Sequence, residues 1–491
     1  MLVHLKIPPG VWRNGTQYQA AGRWYDANLV RWVQGVMQPM GGWAARTAST
    51  FSGIARGIIT WRKNDGTRMI AVCTPTKAYH VSESNVITDI TPTSGFTSGT
   101  DSAAANTGYG GYLYGYGAYG TPRPDWGSIS PPTTWSLDTW GEELVGCSTA
   151  DGKILKWDCN TGNDFTAVTN APTGCRALVV TADRILMALG ASSNPRQIKW
   201  CDQEDITDWT ATDTNRAGSW LLQTQGQIMC GKRVRGGTLI LTNVDAHLAS
   251  YVNFPLVYGF DQIGSACGAI GPNAAASFDG YCAWMGQDAF YLFDGTVKRV
   301  PSEVQDYVFS SINLAQKEKV YAFVNSVNSE VWWLYPSGAA NECDSYVCYA
   351  YLDSHWTVGR ISRTCGVDRG AFRYPMMVGA DGYLYDHEFG ANYGTATPYA
   401  ESGPFELGTG EQIMHALKLI PDERTSGDCD VTFKARYYPN GTEYTAGAYS
   451  LASPTSVRFS GRQASIVVGG ARQTAWRWGV PRLDVVAGGK R

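Results

Sequence analysis

The sequence predicts an all-β chain: a β-propeller of six or seven blades with a C-terminal β-sandwich or platform domain. Three observations carry this. Residues 274–300 read AAASF-DG-YCAWM-GQD-AFYLF-DG-TVKRV, four short apolar segments separated by three tight turns. Asp279-Gly280 and Asp294-Gly295 suit two-residue hairpins, because Gly accepts positive φ freely and Asp tolerates it. Four up-and-down strands in so short a stretch have the size of one propeller blade. The pattern recurs seven times between Gly57 and Glu388, and the rhythm changes beyond Gly410.

Composition agrees with turn-rich β structure. Of 491 residues, 44% are hydrophobic, 12% aromatic and only 17% charged, with 56 Gly. A net charge of −3 gives no global basic surface for tight nucleic-acid binding. No signal peptide is read at the N-terminus and no apolar run is long enough for a spanning helix. The 12 Cys form no CxxC pairs, so they are expected to be reduced, mostly buried thiols of a protein made in a cytosol, without structural zinc.

Taken in order, residues 1–50 read as short extended pieces broken by Gly and Pro, and are expected to join the platform. The propeller is expected over 51–409. Its first unit is GIITW, RMIAVC, KAYHV and VITDI, with a turn at Asn64-Asp65-Gly66. Residues 92–133 break the period with the insertion TGYGGYLYGYGAYGTPRPDWG, where dense Gly and two Pro oppose a ladder. It reads either as a surface loop without a partner or as a projecting arm whose Tyr109, Tyr112, Tyr114, Tyr116 and Tyr119 anchor on a partner. Further units follow at 134–169, 176–209, 228–260, 274–300 and 319–360, with a last copy at 374–388. The aromatic ends Tyr79, Trp157, Trp200, Tyr251, Phe293, Tyr351 and Tyr385 mark the repeat, and no WD dipeptide pattern accompanies it. Alternating strands from 410 to 491, with a hairpin signal at Asn440-Gly441, predict the platform domain.

No catalytic motif stands out, no cofactor is expected, and the chain is read as a non-enzyme. Gly-x-Ser-x-Gly, His-Glu-x-x-His and phosphate-binding loops are absent. The six His are isolated, and no spacing singles out a Cys–His pair. Asp202, Glu204, Asp205 and Asp208 lie together in CDQEDITDW. Paired carboxylates could cleave glycosides or hold a metal, but a polar turn leading into a strand at Trp209 is the favoured reading.

The segment NLVRWVQGVMQPMGGW resembles the N-terminal motif of the podophage tail nozzle (tail tubular protein B) family at Asn28, Arg31, Trp32, Gly35, Gly41, Gly42 and Trp43. RQIKWCDQEDITDW resembles a second family feature at Trp200, Asp202, Asp208 and Trp209, with Cys201 in place of Ser, and residues 268–295 resemble a third. The resemblance implies a structural virion protein assembled in the bacterial cytoplasm. It would form a homohexameric ring, the distal nozzle below a tail adaptor ring, channel and gate phage DNA without sequence preference with the five insertion tyrosines as candidate gate or interface residues, carry tail fibres and need no stable membrane anchor. The alternative is a glycan-binding or glycan-cleaving propeller.

Overall fold

The computed structural model describes residues 1–103, 130–425, 427–470 and 474–489. Seven four-stranded antiparallel sheets form the blades of a propeller. Their innermost strands are Gly57–Arg62, Trp135–Trp140, Ala177–Val180, Ile228–Val234, Ala275–Phe278, Tyr321–Asn325 and Arg363–Val367. Each packs on the next, and the seventh packs back on the first, so the ring is closed. The turns follow the chemistry of their residues: Asp279 (φ +48°) and Gly280 (φ +83°) are both left-handed between the paired strands of blade 5. Buried Trp135, Trp157, Trp284, Trp333 and Trp356 fill the spaces between blades.

The seventh blade is completed from far away in sequence. Its first three strands are consecutive, but its outer strand is Trp43–Ala45, which pairs with Leu384–His387. The expectation that residues 1–50 join the platform is therefore corrected: the end of this segment belongs to blade 7. It closes the ring by covering an edge that would otherwise stay unpaired. Blade 3 also departs from expectation. Its fourth strand is Gly218–Leu221, and Trp209 lies in the preceding loop instead of starting a strand.

The remaining chain builds two larger sheets and the two-stranded hairpin Val30–Val33 with Val36–Pro39. One orders Leu2–His4, Arg482–Ala487, Met414–Ile420 and Thr455–Gly461. The other orders Trp24–Asn28, Tyr399–Ser402, Gln463–Gly469, Asp430–Arg436 and Tyr444–Ser450. The expected boundary at 410 thus falls inside this unit, because Tyr399–Ser402 and Phe405–Glu406 both pair with Gln463–Gly469. Strand Asp430–Arg436 alternates buried and half-buried residues along its length, the pattern of a sheet with one face in a core. Phe433 of one sheet stacks on Phe459 of the other with ring centroids 4.6 Å apart. This core is continuous with blades 5 and 6 through Trp24, Trp32, Met285, Phe290, Trp333 and Trp356.

Candidate functional site

Residues 28–43 lie at the seam between sandwich and propeller. Val30–Val33 and Val36–Pro39 form a hairpin whose turn places Gly35 at φ +82°. Arg31 points from it into the protein with its side chain only 4% exposed. Its guanidinium donates to both oxygens of Glu330 in blade 6, at 2.8 and 3.0 Å, and to both oxygens of Glu388 at the end of blade 7. Trp332 Nε1 donates to Glu330, while Asn325 and the Gly41 amide donate to Glu388. Burial raises the Glu330 carboxyl above its ordinary range. Burial also works to raise Glu388, but Arg31 outweighs it and the net direction is down.

The other positions of the segment are explained by the same seam. A Cβ on Gly41 would lie 2.4 Å from Glu388 Cα, and one on Gly42 would lie 2.4 Å from the Asn392 amide. Only glycine lets the chain pass under blade 7 before Trp43 enters that blade. The Trp43 ring meets His387 and Tyr393, and the Arg363 guanidinium lies over it. Arg363 Nε donates to His387 Nε2 at 3.0 Å, and burial holds His387 neutral, well below its ordinary pKa. Asn28 donates to the Thr397 carbonyl and accepts from the Arg360 amide. Trp32 packs between Trp24 and His355.

Residues 200–216 form a hydrogen-bonded loop. Asp202 Oδ1 accepts from the Gln203 and Arg216 amides, and the Asp202 amide donates to the Asp208 carbonyl. Asp208 accepts from Asn215 and the Thr210 amide, and Asp205 accepts from the Thr207 hydroxyl and amide. The Trp200 and Trp209 indoles donate to the Arg216 and Ile206 carbonyls. The carboxylates are occupied with turn geometry.

All 12 Cys are free and buried. Burial pushes the thiols up, Cys230 to about 11 and Cys343 to about 12, which opposes a nucleophilic thiolate. Among the described residues no cluster of three or more His, Cys, Asp and Glu could hold a metal ion.

The propeller axis differs at its two ends. At the end where the inner strands begin, Arg56 donates to Glu342, and Lys319 donates to Glu342, Ser102 and the Asn341 carbonyl. Asn273 Nδ2 reaches across the axis to the carbonyls of Arg56 and Trp135, at 3.4 and 3.3 Å. Two short helices that the sequence reading missed lie nearby: the 3-10 helix Leu314–Lys319 supplies Gln316 and Lys319 to this cap, and the α-helix Gln305–Ser311 packs Val308 into the core shared with the sandwich. From Asn273 an axial cavity of about 210 Å³ runs toward the opposite end, lined on the way by Ser136, Asp138, Lys232, Arg233 and Ser277. The root of the Tyr/Gly insertion is fixed to the closed end, where Arg56 binds the Asp101 carbonyl and Gln316 accepts from the Ala103 amide. Tyr109, Tyr112, Tyr114, Tyr116 and Tyr119 lie outside the described residues.

No family model matches the chain, and no curated protein matches it. Among solved structures, it is similar to a streptogramin B lyase, with 10% identity, TM-score 0.39, and 69% of this chain covering 95% of that one. The WD40 domain of Neurospora crassa Pan2 gives 10% identity, TM-score 0.40, and 71% against 95% coverage. An exo-β-1,3-galactanase from Phanerochaete chrysosporium gives 11% identity, TM-score 0.32, and 91% against 100% coverage. None of these three is a phage tail protein, and likeness at this level carries no argument about function.

Proposed function

We propose that this chain is a non-catalytic structural subunit of a short-tailed phage tail, of the nozzle type. The observation that carries the reading is the seam at Arg31. The residues that resemble the nozzle motif are spent on fastening sandwich, blade 6 and blade 7 into one unit, and the segment ends as the strand that closes the ring. Such a unit is a rigid wall element. The capped propeller axis is too narrow for a duplex, so DNA would pass through the lumen of a ring of subunits. A near-neutral net charge of −3 fits passage without retention, since each phosphate contact adds salt-dependent affinity.

A second feature supports assembly. In blade 4 the turn between strands Ala246–Asn253 and Val257–Gly264 leaves Val252, Phe254 and Leu256 exposed, Leu256 at 74%. An exposed apolar cluster of this kind is a contact surface, and we assign it to a neighbouring subunit. Gold-labelled antibodies against the purified chain, applied to phage particles that contain it, test the reading. Label at the tail tip is expected. Particles without label, together with polysaccharide cleavage by the purified chain, would replace it with the glycan-cleaving alternative.

A further inference from the structure

The open end of the propeller axis has a mouth that the scaffold reading does not use. A cavity of about 360 Å³ lies there between blades 4, 5, 6 and 7, lined by Lys232, Ser277, Phe278, Asp279, Tyr351 and Asp368 among others. Its volume is within the range of small-ligand sites, about 300–1,000 Å³. It adjoins the axial cavity, with which it shares Ile58, Lys232, Ser277 and Tyr321.

The side chains divide into an apolar wall and a polar rim. Phe278 and Tyr351 stack with centroids 4.5 Å apart. An aromatic face is electron-rich and attracts polarised C–H groups, such as those on one face of a sugar ring. Ser277 and Asp279 are exposed beside this wall. Asp368 already binds the Ser326 and Arg369 amides through Oδ1. Lys232 and Asp279 have no hydrogen-bond or ion-pair partner recorded among the described residues, and Lys232 is half-buried, with its neighbour Arg233 paired to Asp138 at 3.1 Å. A half-buried ammonium without a carboxylate partner is a ready point charge for an anionic group.

We infer that this mouth binds one acidic sugar residue: the aromatic wall takes the ring face, Lys232 the carboxylate, and Ser277 and Asp279 the hydroxyls. The inference stands independently of the nozzle reading, because a scaffold subunit and a free lectin could both carry such a site.

The test is binding of methyl β-glucuronide and of the methyl glycoside of N-acetylneuraminic acid to the full chain, by isothermal titration and saturation-transfer NMR. Methyl β-glucoside is the neutral control. At least one acidic glycoside should bind at least ten-fold tighter than the glucoside. Lys232→Gln should remove that preference, while Lys232→Arg keeps part of it. Failure of both acidic probes to bind, equal binding of the glucoside, or full binding by a folded Lys232→Gln protein would overturn the inference and leave the tail assignment untouched.

Discussion

Arg31 binds Glu388 through two nitrogens in a buried setting, and the same guanidinium binds Glu330 of the neighbouring blade. One side chain thereby ties the N-terminal hairpin to two blades. Removing one partner of such a group leaves uncompensated buried charge, at a cost of about 3–5 kcal/mol. Arg31→Met should destabilise the chain by that amount in denaturant unfolding. Arg31→Lys should recover only part of the loss, because a lysine cannot make the paired bonds.

The glycines after this hairpin give a second expectation. Gly42→Ala places a methyl group against the Asn392 backbone. The chain must shift or Trp43 must leave blade 7, at a cost of about 1–3 kcal/mol. Limited proteolysis should then cut near residue 46 faster than in the parent chain.

The cap on the propeller axis predicts a pH dependence. Burial works to raise the Glu342 carboxyl, but its bonds to Arg56 and Lys319 outweigh it, so its pKa lies below the ordinary 4.5. A depressed carboxylate stabilises the fold above its unfolded pKa, and that stability is lost as pH falls through the folded value. Glu330, raised by burial, contributes the opposite slope. Comparison with Glu342→Gln isolates the first effect: between about pH 5 and pH 3 the parent should lose stability more steeply than the variant.

The acidic loop predicts little. Asp205 and Asp208 accept hydrogen bonds within their own turn. Changing both to Asn should cost about 1 kcal/mol or less for each and remove no hydrolytic activity. A hydrolysis lost without loss of folding would contradict the non-enzyme reading.

Much of the propeller was legible because its signals are local. Asp-Gly turns and short apolar strands repeat along the chain, and six of the seven blades use consecutive strands. The seventh was half-legible: Trp43–Ala45 is three residues long and pairs with a strand some 340 residues away, so no local pattern announces it. The Arg31 cluster was visible only as a motif. Its partners Glu330 and Glu388 sit in separate blades, and nothing around either residue marks it for a buried arginine. The mouth at Phe278, Lys232 and Tyr351 was hidden for the same reason, being assembled from blade ends that meet only after the ring closes.

The exposed tip of blade 4 gives the assembly prediction. Phe254→Ser with Leu256→Ser should leave the unfolding midpoint unchanged, since Leu256 is 74% exposed. The same pair should abolish association between subunits, measured by sedimentation.

The most direct measurement is negative-stain imaging of the purified chain. The account predicts class averages of a six-fold ring with an open central pore, lost in the Phe254→Ser, Leu256→Ser protein. Isolated single propellers at every concentration, or an assembly without a pore, would contradict it.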